Sequence, residues 1–204
     1  MASPAHPPTR HRLPREARTR QLLDVSWALI GQAGTDALTL GRLAEAAGVT
    51  KPVVYDHFGS RNGLLAALYQ DYDARQTALM DAAIEAARPT LSEKARVIAS
   101  SYVDCVLTQG REIQDVLAAL SGSPELSAVK RQYQQAYIEK CAAILAPYAG
   151  PQGLSPASLW AMLGAADALS EAAAAGNITE AQARHELRHT ILAMVRRSKS
   201  AGAR

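Results

Sequence analysis

The sequence predicts an all-α fold, and three observations support this prediction. Of the 204 residues, 48% are hydrophobic but only 5% are aromatic. Alanine, a strong helix former, accounts for much of that difference. Apolar residues recur at i, i+3, i+4 and i+7, the spacing that places them on one face of a helix. No run of β-branched residues alternates with polar residues over the length of a strand, so we expect no β-sheet.

The totals also limit the class of protein. Cys105 and Cys141 lie in apolar segments without the close spacing of metal-binding pairs, which indicates buried thiols in a reducing compartment. No apolar run approaches the roughly 18 residues that a membrane span requires, and we expect no leader peptide. The sequence therefore predicts a soluble, cytoplasmic protein that uses no cofactor and has no membrane partner.

The first 14 residues predict a flexible basic arm, because they are rich in proline and arginine and hold little to bury. Such an arm could be a solubilising tail, or it could reach into the minor groove of DNA. Order is expected from about Arg15. The spacing of Leu23, Trp27 and Ile30 then predicts a first helix that ends at Gly34.

Two short helices follow, joined by a tight turn. Thr39 is an N-cap candidate before an apolar stripe, and Gly48 ends this second helix. Thr50 is the N-cap candidate of the third helix. This helix holds Pro52 in its first turn, where a missing N–H group costs little, and ends near Phe58. This arrangement is typical of a helix-turn-helix motif, whose second helix enters the major groove of DNA.

Longer helices are predicted beyond this motif. Ser60 is the N-cap candidate of a fourth helix that runs towards Ala87. After it, helical periodicity interrupted by glycine- and proline-containing breaks predicts five more helices. These helices are expected over residues 92–109, 111–120, 124–145, 156–175 and 179–197.

Assigning the core leaves a polar face on the third helix. The residues assigned to the core are Leu40, Leu43, Ala44, Val49, Val54 and Phe58. The residues left outside are Thr50, Lys51, Pro52, Val53, Tyr55 and His57. Several of them carry donors that suit phosphate oxygens, while Thr50 and the methyl groups of Val53 can also meet base edges. A core position for Tyr55 and His57 is the alternative.

The stretch TLGRLAEAAGVTKPVVYDHFGSRNGLLAAL, residues 39–68, resembles the DNA-binding signature of the TetR family of transcriptional regulators. The shared features include the Gly-Val turn after the second helix and VYDHF followed by Ser60, Arg61 and Leu64. The resemblance implies an N-terminal three-helix helix-turn-helix DNA-binding domain over residues 15–63. It also implies a larger helical domain for ligand binding and dimerisation over residues 64–204.

By position, the resemblance implies two groups of DNA-binding residues. Phosphate contacts are implied for Thr39, Arg42, Tyr55, His57 and Arg61, and positions in or beside the groove for Thr50, Lys51, Pro52 and Val53. For the two arginines, an ordinary solvated charge is the alternative. Two residues depart from the family pattern: Pro52 removes a backbone donor, and Asp56 stands where a basic or aromatic residue is frequent. Asp56 either points aside or accepts a hydrogen bond from cytosine N4.

Apolar stripes on the last two helices are candidates for a dimer interface, since helix-turn-helix proteins usually bind DNA as dimers. Ordinary core is the alternative, and the resemblance favours the interface, because the family pairs these helices in a four-helix bundle. The predicted interface residues are Leu159, Leu163, Ala166, Leu187, Ile191 and Met194. Thr179 and Gln182 are expected to form a capping box.

The middle helices hold aromatic and thiol side chains that suit a small-molecule pocket, although a helical core uses the same residue types. The candidates are Tyr102, Cys105, Tyr133, Tyr137, Cys141 and Trp160. Asp104 and Asp167, within apolar helices, could recognise a cationic group or lie on a solvated face.

The predicted function is that of a homodimeric repressor that binds a double-stranded DNA operator and is released from it by a small-molecule effector. A transcriptional activator and a ligand-independent architectural DNA binder are the alternatives. An enzyme is the rival from another class, because HELRH at residues 185–189 fits the HExxH pattern of zinc metalloproteases. Little chain follows it to supply a third ligand or a cleft, so we predict no enzyme and no metal site.

Overall fold

The computed structural model describes residues 13–108, 111–122 and 124–201, and within these ranges every regular element is a helix. The predicted all-α fold is therefore confirmed. The basic arm predicted for residues 1–14 lies outside the described residues except for Leu13 and Pro14. The helices are α1 (Arg15–Ala33), α2 (Leu40–Ala46), α3 (Lys51–Phe58), α4 (Arg61–Ala86), α5 (Leu91–Leu107), α6 (Arg111–Leu120), α7 (Pro124–Leu145), α8 (Pro156–Ala174) and α9 (Glu180–Ala201).

Local signals place most helix ends where they were predicted. Gly34 follows α1 with a φ of +72°, in the region that favours glycine. The capping box at the start of α9 is present: the Thr179 N–H donates to Gln182 Oε1 at 2.8 Å, and the Gln182 N–H donates to Thr179 Oγ1 at 3.2 Å. Two 3₁₀ turns, Thr35–Ala37 and Ala146–Tyr148, have no counterpart in the predicted pattern.

Residues 13–68 are the described part of a first compact unit, which contains α1, α2, α3 and the first two turns of α4. Each of the first three helices contributes a fully buried side chain to the core of this unit: Leu22 from α1, Leu43 from α2 and Val54 from α3. Trp27, predicted for the apolar stripe of α1, is only half-buried. The unit extends to Leu68, beyond the boundary predicted at residue 63.

Residues 69–201 are the described part of the second unit. Here α5, α8 and α9 pack against one another, and α7 packs against α5 and α8. Arg184 of α9 donates from Nε and Nη2 to Asp104 Oδ1 of α5, at 2.9 and 2.6 Å. Asp104 therefore forms an ion pair between two helices, a role that neither interpretation of this residue had included.

The apolar stripes of α8 and α9 lie inside this second unit. All six residues predicted for the dimer interface are at most 6% exposed and belong to its hydrophobic core. They are Leu159, Leu163, Ala166, Leu187, Ile191 and Met194. Their side chains are covered by other helices of the same chain, so each belongs to the core of one chain and exposes almost no surface to a partner. Among the described helices, none is long and apolar enough to cross a membrane.

Candidate nucleic-acid interface

The helix-turn-helix is built from backbone geometry that its sequence favours. Thr39 caps α2, since its hydroxyl accepts a hydrogen bond from the Arg42 N–H at 3.1 Å. Gly48 has a φ of +64°, which a residue with a side chain rarely adopts, and it reverses the chain after α2. The Val49 N–H then donates to the Ala44 carbonyl at 3.0 Å and closes the turn. The turn thus fixes where α3 begins.

One face of α3 is open to solvent, as the sequence predicted. Val54 is fully buried and Phe58 is 9% exposed, whereas Tyr55 is 53% exposed. Lys51 and Pro52 are exposed as well, and Val53 is half-buried. The open face of α3 therefore presents an ammonium group and a phenol to solvent.

Thr50 occupies the N-cap position of α3, but its side chain makes no capping hydrogen bond. Its position was predicted correctly, whereas the capping bond through its hydroxyl is not formed. The Thr50 side chain is exposed. Because the hydroxyl makes no capping bond to α3, it can donate to an acceptor outside the chain without breaking such a bond.

His57 is held against α1 and is half-buried instead of exposed. Its Nδ1 lies 2.9 Å from Thr19 Oγ1. Burial lowers the pKa of the imidazole, and the positive charge of Arg15 acts in the same direction. Thr19 is a residue of this site that sequence reasoning missed, since it lies 38 positions away and no local pattern links the two.

Asp56 points aside, which was one of the two interpretations offered for it. Arg15 Nη1 donates to Asp56 Oδ2 at 2.8 Å, and Arg15 Nη2 donates to the Asp56 carbonyl oxygen at 3.1 Å. The acidic charge on α3 is thus paired with a cation from α1. Both side chains are mostly exposed, so this ion pair adds little to the free energy of unfolding. Its main effect is to hold the Asp56 carboxylate beside α1.

The two arginines implied as phosphate ligands differ in their surroundings. Arg61 Nε donates to the Leu38 carbonyl at 3.0 Å, and Arg61 Nη2 donates to the Thr35 carbonyl at 2.7 Å. Arg61 therefore ties the start of α4 to the segment between α1 and α2, a structural role that neither interpretation of this residue named. Arg42 is exposed, with Nη1 at 3.4 Å from the Ala37 carbonyl oxygen.

Five of the six residues predicted for a pocket come together in the second unit. Tyr102 donates to Asp167 Oδ1 at 2.5 Å, and its ring centroid lies 5.3 Å from that of Tyr137. Tyr137 is hydrogen-bonded to Cys141, whose pKa burial raises to about 12. Asp167 thus accepts a hydrogen bond from a tyrosine inside the unit.

Two tyrosines of α4 join this cluster and were not predicted. Tyr72 places its hydroxyl 2.8 Å from Cys105 Sγ, and Tyr69 meets Tyr133 edge-on with ring centroids 5.1 Å apart. Their spacing of i and i+3 on one helix is the signal that could have found them. Trp160 does not belong with the others, because it is 43% exposed on α8.

The HELRH segment lies on α9 with both histidines exposed and their ring centroids 4.2 Å apart. Among the described residues, no third histidine, cysteine or acid completes a group that could hold a metal ion. His185 lines a shallow open groove of about 530 Å³ between the end of α8 and the start of α9.

Residues 22–68 match the family described as bacterial regulatory proteins, tetR family. Over 60 residues, 29% of this chain, the sequence is 40% identical to the HTH-type transcriptional activator FasR of Mycolicibacterium smegmatis. Over 117 residues, 57% of this chain, it is 28% identical to the HTH-type transcriptional regulator BetI of Paraburkholderia xenovorans. The matched parts span 27% of FasR and 60% of BetI.

The fold is shared over more of the chain. SCO4454, a TetR-family transcriptional regulator from Streptomyces coelicolor, superimposes with a TM-score of 0.66 and 21% sequence identity, covering 92% of each chain. The resemblance inferred from residues 39–68 is thereby confirmed: residues 22–68 match the tetR family, and the chain has the fold of SCO4454.

Proposed function

We propose that this chain, whose residues 22–68 match the tetR family of bacterial regulatory proteins, is a cytoplasmic DNA-binding transcriptional regulator that acts as a homodimeric repressor. The observation that carries the proposal is the open face of α3, where Lys51, Tyr55 and Thr50 present donors beyond a buried Val54. Donors on a helix that follows a tight turn suit phosphate oxygens and base edges in the major groove. The protein is proposed to act by binding and not by catalysis.

A second copy of the chain is the proposed partner, because one helix-turn-helix contacts only one half-site. The outward face of α8 supports this part of the proposal. It carries exposed small residues together with the exposed indole of Trp160, and such a face lets a second helix approach closely. The exposed residues are Ala157, Trp160, Ala161, Gly164 and Ala168. This face replaces the buried stripes as the proposed interface.

A small-molecule effector is the proposed signal, and the tyrosine cluster of the second unit is its proposed site. The cluster offers aromatic faces, hydroxyl groups and the Asp167 carboxylate, the mixture that binding sites for small molecules use. An effector that binds the two states of the protein with different affinities would change the affinity for DNA by the same coupling free energy. FasR is named as an activator, so activation is the alternative outcome for this chain.

The test is fluorescence anisotropy titration of the DNA that flanks the gene, against a scrambled duplex, across a salt series. Lys51→Gln and Lys199→Gln make the same charge change at two exposed lysines, one on α3 and one near the end of α9. Losing a phosphate contact lowers the slope of log K against log salt by about one, so we expect that change for Lys51→Gln only. Equal weak binding to both duplexes, unchanged by either variant, would contradict DNA recognition through α3.

A further inference from the structure

The hydrogen bonds of Thr19 determine which nitrogen of His57 carries its proton. Thr19 Oγ1 lies 3.0 Å from the Arg15 carbonyl oxygen and 2.9 Å from His57 Nδ1. A hydroxyl has one proton to donate, and a carbonyl oxygen can only accept. Both contacts are satisfied only if the hydroxyl donates to the Arg15 carbonyl and accepts from an N–H group at Nδ1 of the imidazole.

This assignment limits what the other ring nitrogen can do. With its proton on Nδ1, the neutral imidazole presents a lone pair at Nε2, which can accept a hydrogen bond but cannot donate one. A phosphate oxygen is also only an acceptor. A direct contact between Nε2 and the DNA backbone therefore requires a second proton on the ring.

We propose that Thr19 is a positioning residue that fixes the tautomer of His57, so that His57 takes up a proton when its Nε2 meets a DNA phosphate. This inference rests on the proposed DNA-binding function and adds a regulatory property to it: the affinity for DNA increases as the pH falls. The contact is to the phosphate backbone, so the effect does not depend on the base sequence.

The charges around His57 support a ring that is neutral before DNA arrives. Arg15 and Arg18 of α1 and Asp56 of α3 are the charged groups that act on it, and burial together with the two arginines lowers its pKa. Asp56 opposes this effect, although its own carboxylate is paired with Arg15. A phosphate placed against Nε2 favours the imidazolium and raises the pKa. Between the lowered pKa of the free protein and the raised pKa of the complex, binding takes up a proton.

The first measurement uses the free 204-residue chain, so it does not depend on DNA binding. Long-range ¹H–¹⁵N correlation spectra of the imidazole ring should show the proton of neutral His57 on Nδ1. In Thr19→Val the hydroxyl is lost and we expect the Nε2–H tautomer to become populated, while Thr19→Ser keeps the hydroxyl and restores the wild-type pattern. A wild-type ring with its proton on Nε2 would overturn the inference and leave the proposed function untouched.

The second measurement is the affinity for a duplex of arbitrary sequence at low salt, from pH 6 to pH 8. For each His57 that takes up a proton on binding, the affinity for DNA should fall by up to about tenfold for every unit by which the pH is raised. His57→Gln places an amide NH₂ near the position of Nε2, so this variant should bind at pH 8 at least as well as wild type and lose the pH dependence assigned to this ring.

The outcomes separate the two ideas. Binding that does not change with pH, or a His57→Gln variant that keeps the full pH dependence, would overturn the proton uptake while DNA binding stands. No binding to any duplex at pH 6 would overturn the proposed function and, with it, the proton-linked contact.

Discussion

Replacing Arg61 by alanine tests whether this residue supports the fold or binds phosphate. In the structure its guanidinium donates to the carbonyl groups of Leu38 and Thr35, at 3.0 and 2.7 Å. A hydrogen bond from a charged donor contributes about 1.5–3 kcal/mol to the free energy of unfolding. The Arg61 side chain is 40% exposed, so water competes for both bonds. We therefore expect a total loss within the range for one such bond, about 2 kcal/mol.

Lysine at the same position offers a matched variant. It keeps the positive charge, but one ammonium group lacks the planar fork that reaches both carbonyl oxygens. Arg61→Lys should therefore lose about half as much free energy as Arg61→Ala, or about 1 kcal/mol. A phosphate contact, in contrast, would be largely preserved by lysine, since the charge remains.

The assay is urea unfolding followed by tryptophan fluorescence. The chain has two tryptophans, and Trp27 lies in the first unit while Trp160 lies in the second. In a Trp160→Phe background the signal comes from Trp27 and reports on the unit that contains Arg61. For a unit of this size the midpoint should fall by on the order of 1–2 M urea in Arg61→Ala. An unchanged midpoint, together with weaker DNA binding and a smaller salt slope, would refute the structural role and establish the phosphate contact.

Two further substitutions test other parts of the molecule. A Cβ atom at Gly63 would lie 2.0 Å from the Phe58 carbonyl oxygen, so Gly63→Ala should destabilise the first unit by about 1–3 kcal/mol in thermal unfolding. Gly41→Ala is the control, because a Cβ atom there would come no closer than 3.5 Å to its nearest neighbour, Lys51 Cε. This variant should stabilise α2 by about 0.5–1 kcal/mol. Equal losses of stability at both glycines would contradict this explanation. Ala161→Arg places a bulky charge on the exposed face of α8, so sedimentation equilibrium should show a monomer where wild type is a dimer, and a variant that stays dimeric would place the interface elsewhere.

The helices could be predicted because residues close to each helix end determine where it begins or ends. Gly34 and Gly48 adopt the positive φ that glycine tolerates, and Thr39 caps the helix that follows it. Each of these signals acts within a few residues of the chain, so one sequence is enough to find it. The outward position of Tyr55 followed in the same way from the inward positions of Val54 and Phe58.

The contacts between distant segments could not be predicted in this way. Arg15 meets Asp56 across 41 positions, and Arg184 meets Asp104 across 80, and neither partner carries a local mark of the other. The stripe that includes Leu163 shows why an apolar helix face is ambiguous. Periodicity tells which side of a helix is apolar, but it does not tell whether the same chain or a second copy covers that side.

The two links between α1 and the end of α3 have a kinetic consequence. Arg15 and Thr19 hold Asp56 and His57 in place within the free chain, so α3 does not have to be ordered when a duplex arrives. A helix that is already positioned loses little conformational entropy on binding. We therefore expect correct and incorrect duplexes to associate at similar rates, with the residence time on the DNA carrying most of the discrimination between them.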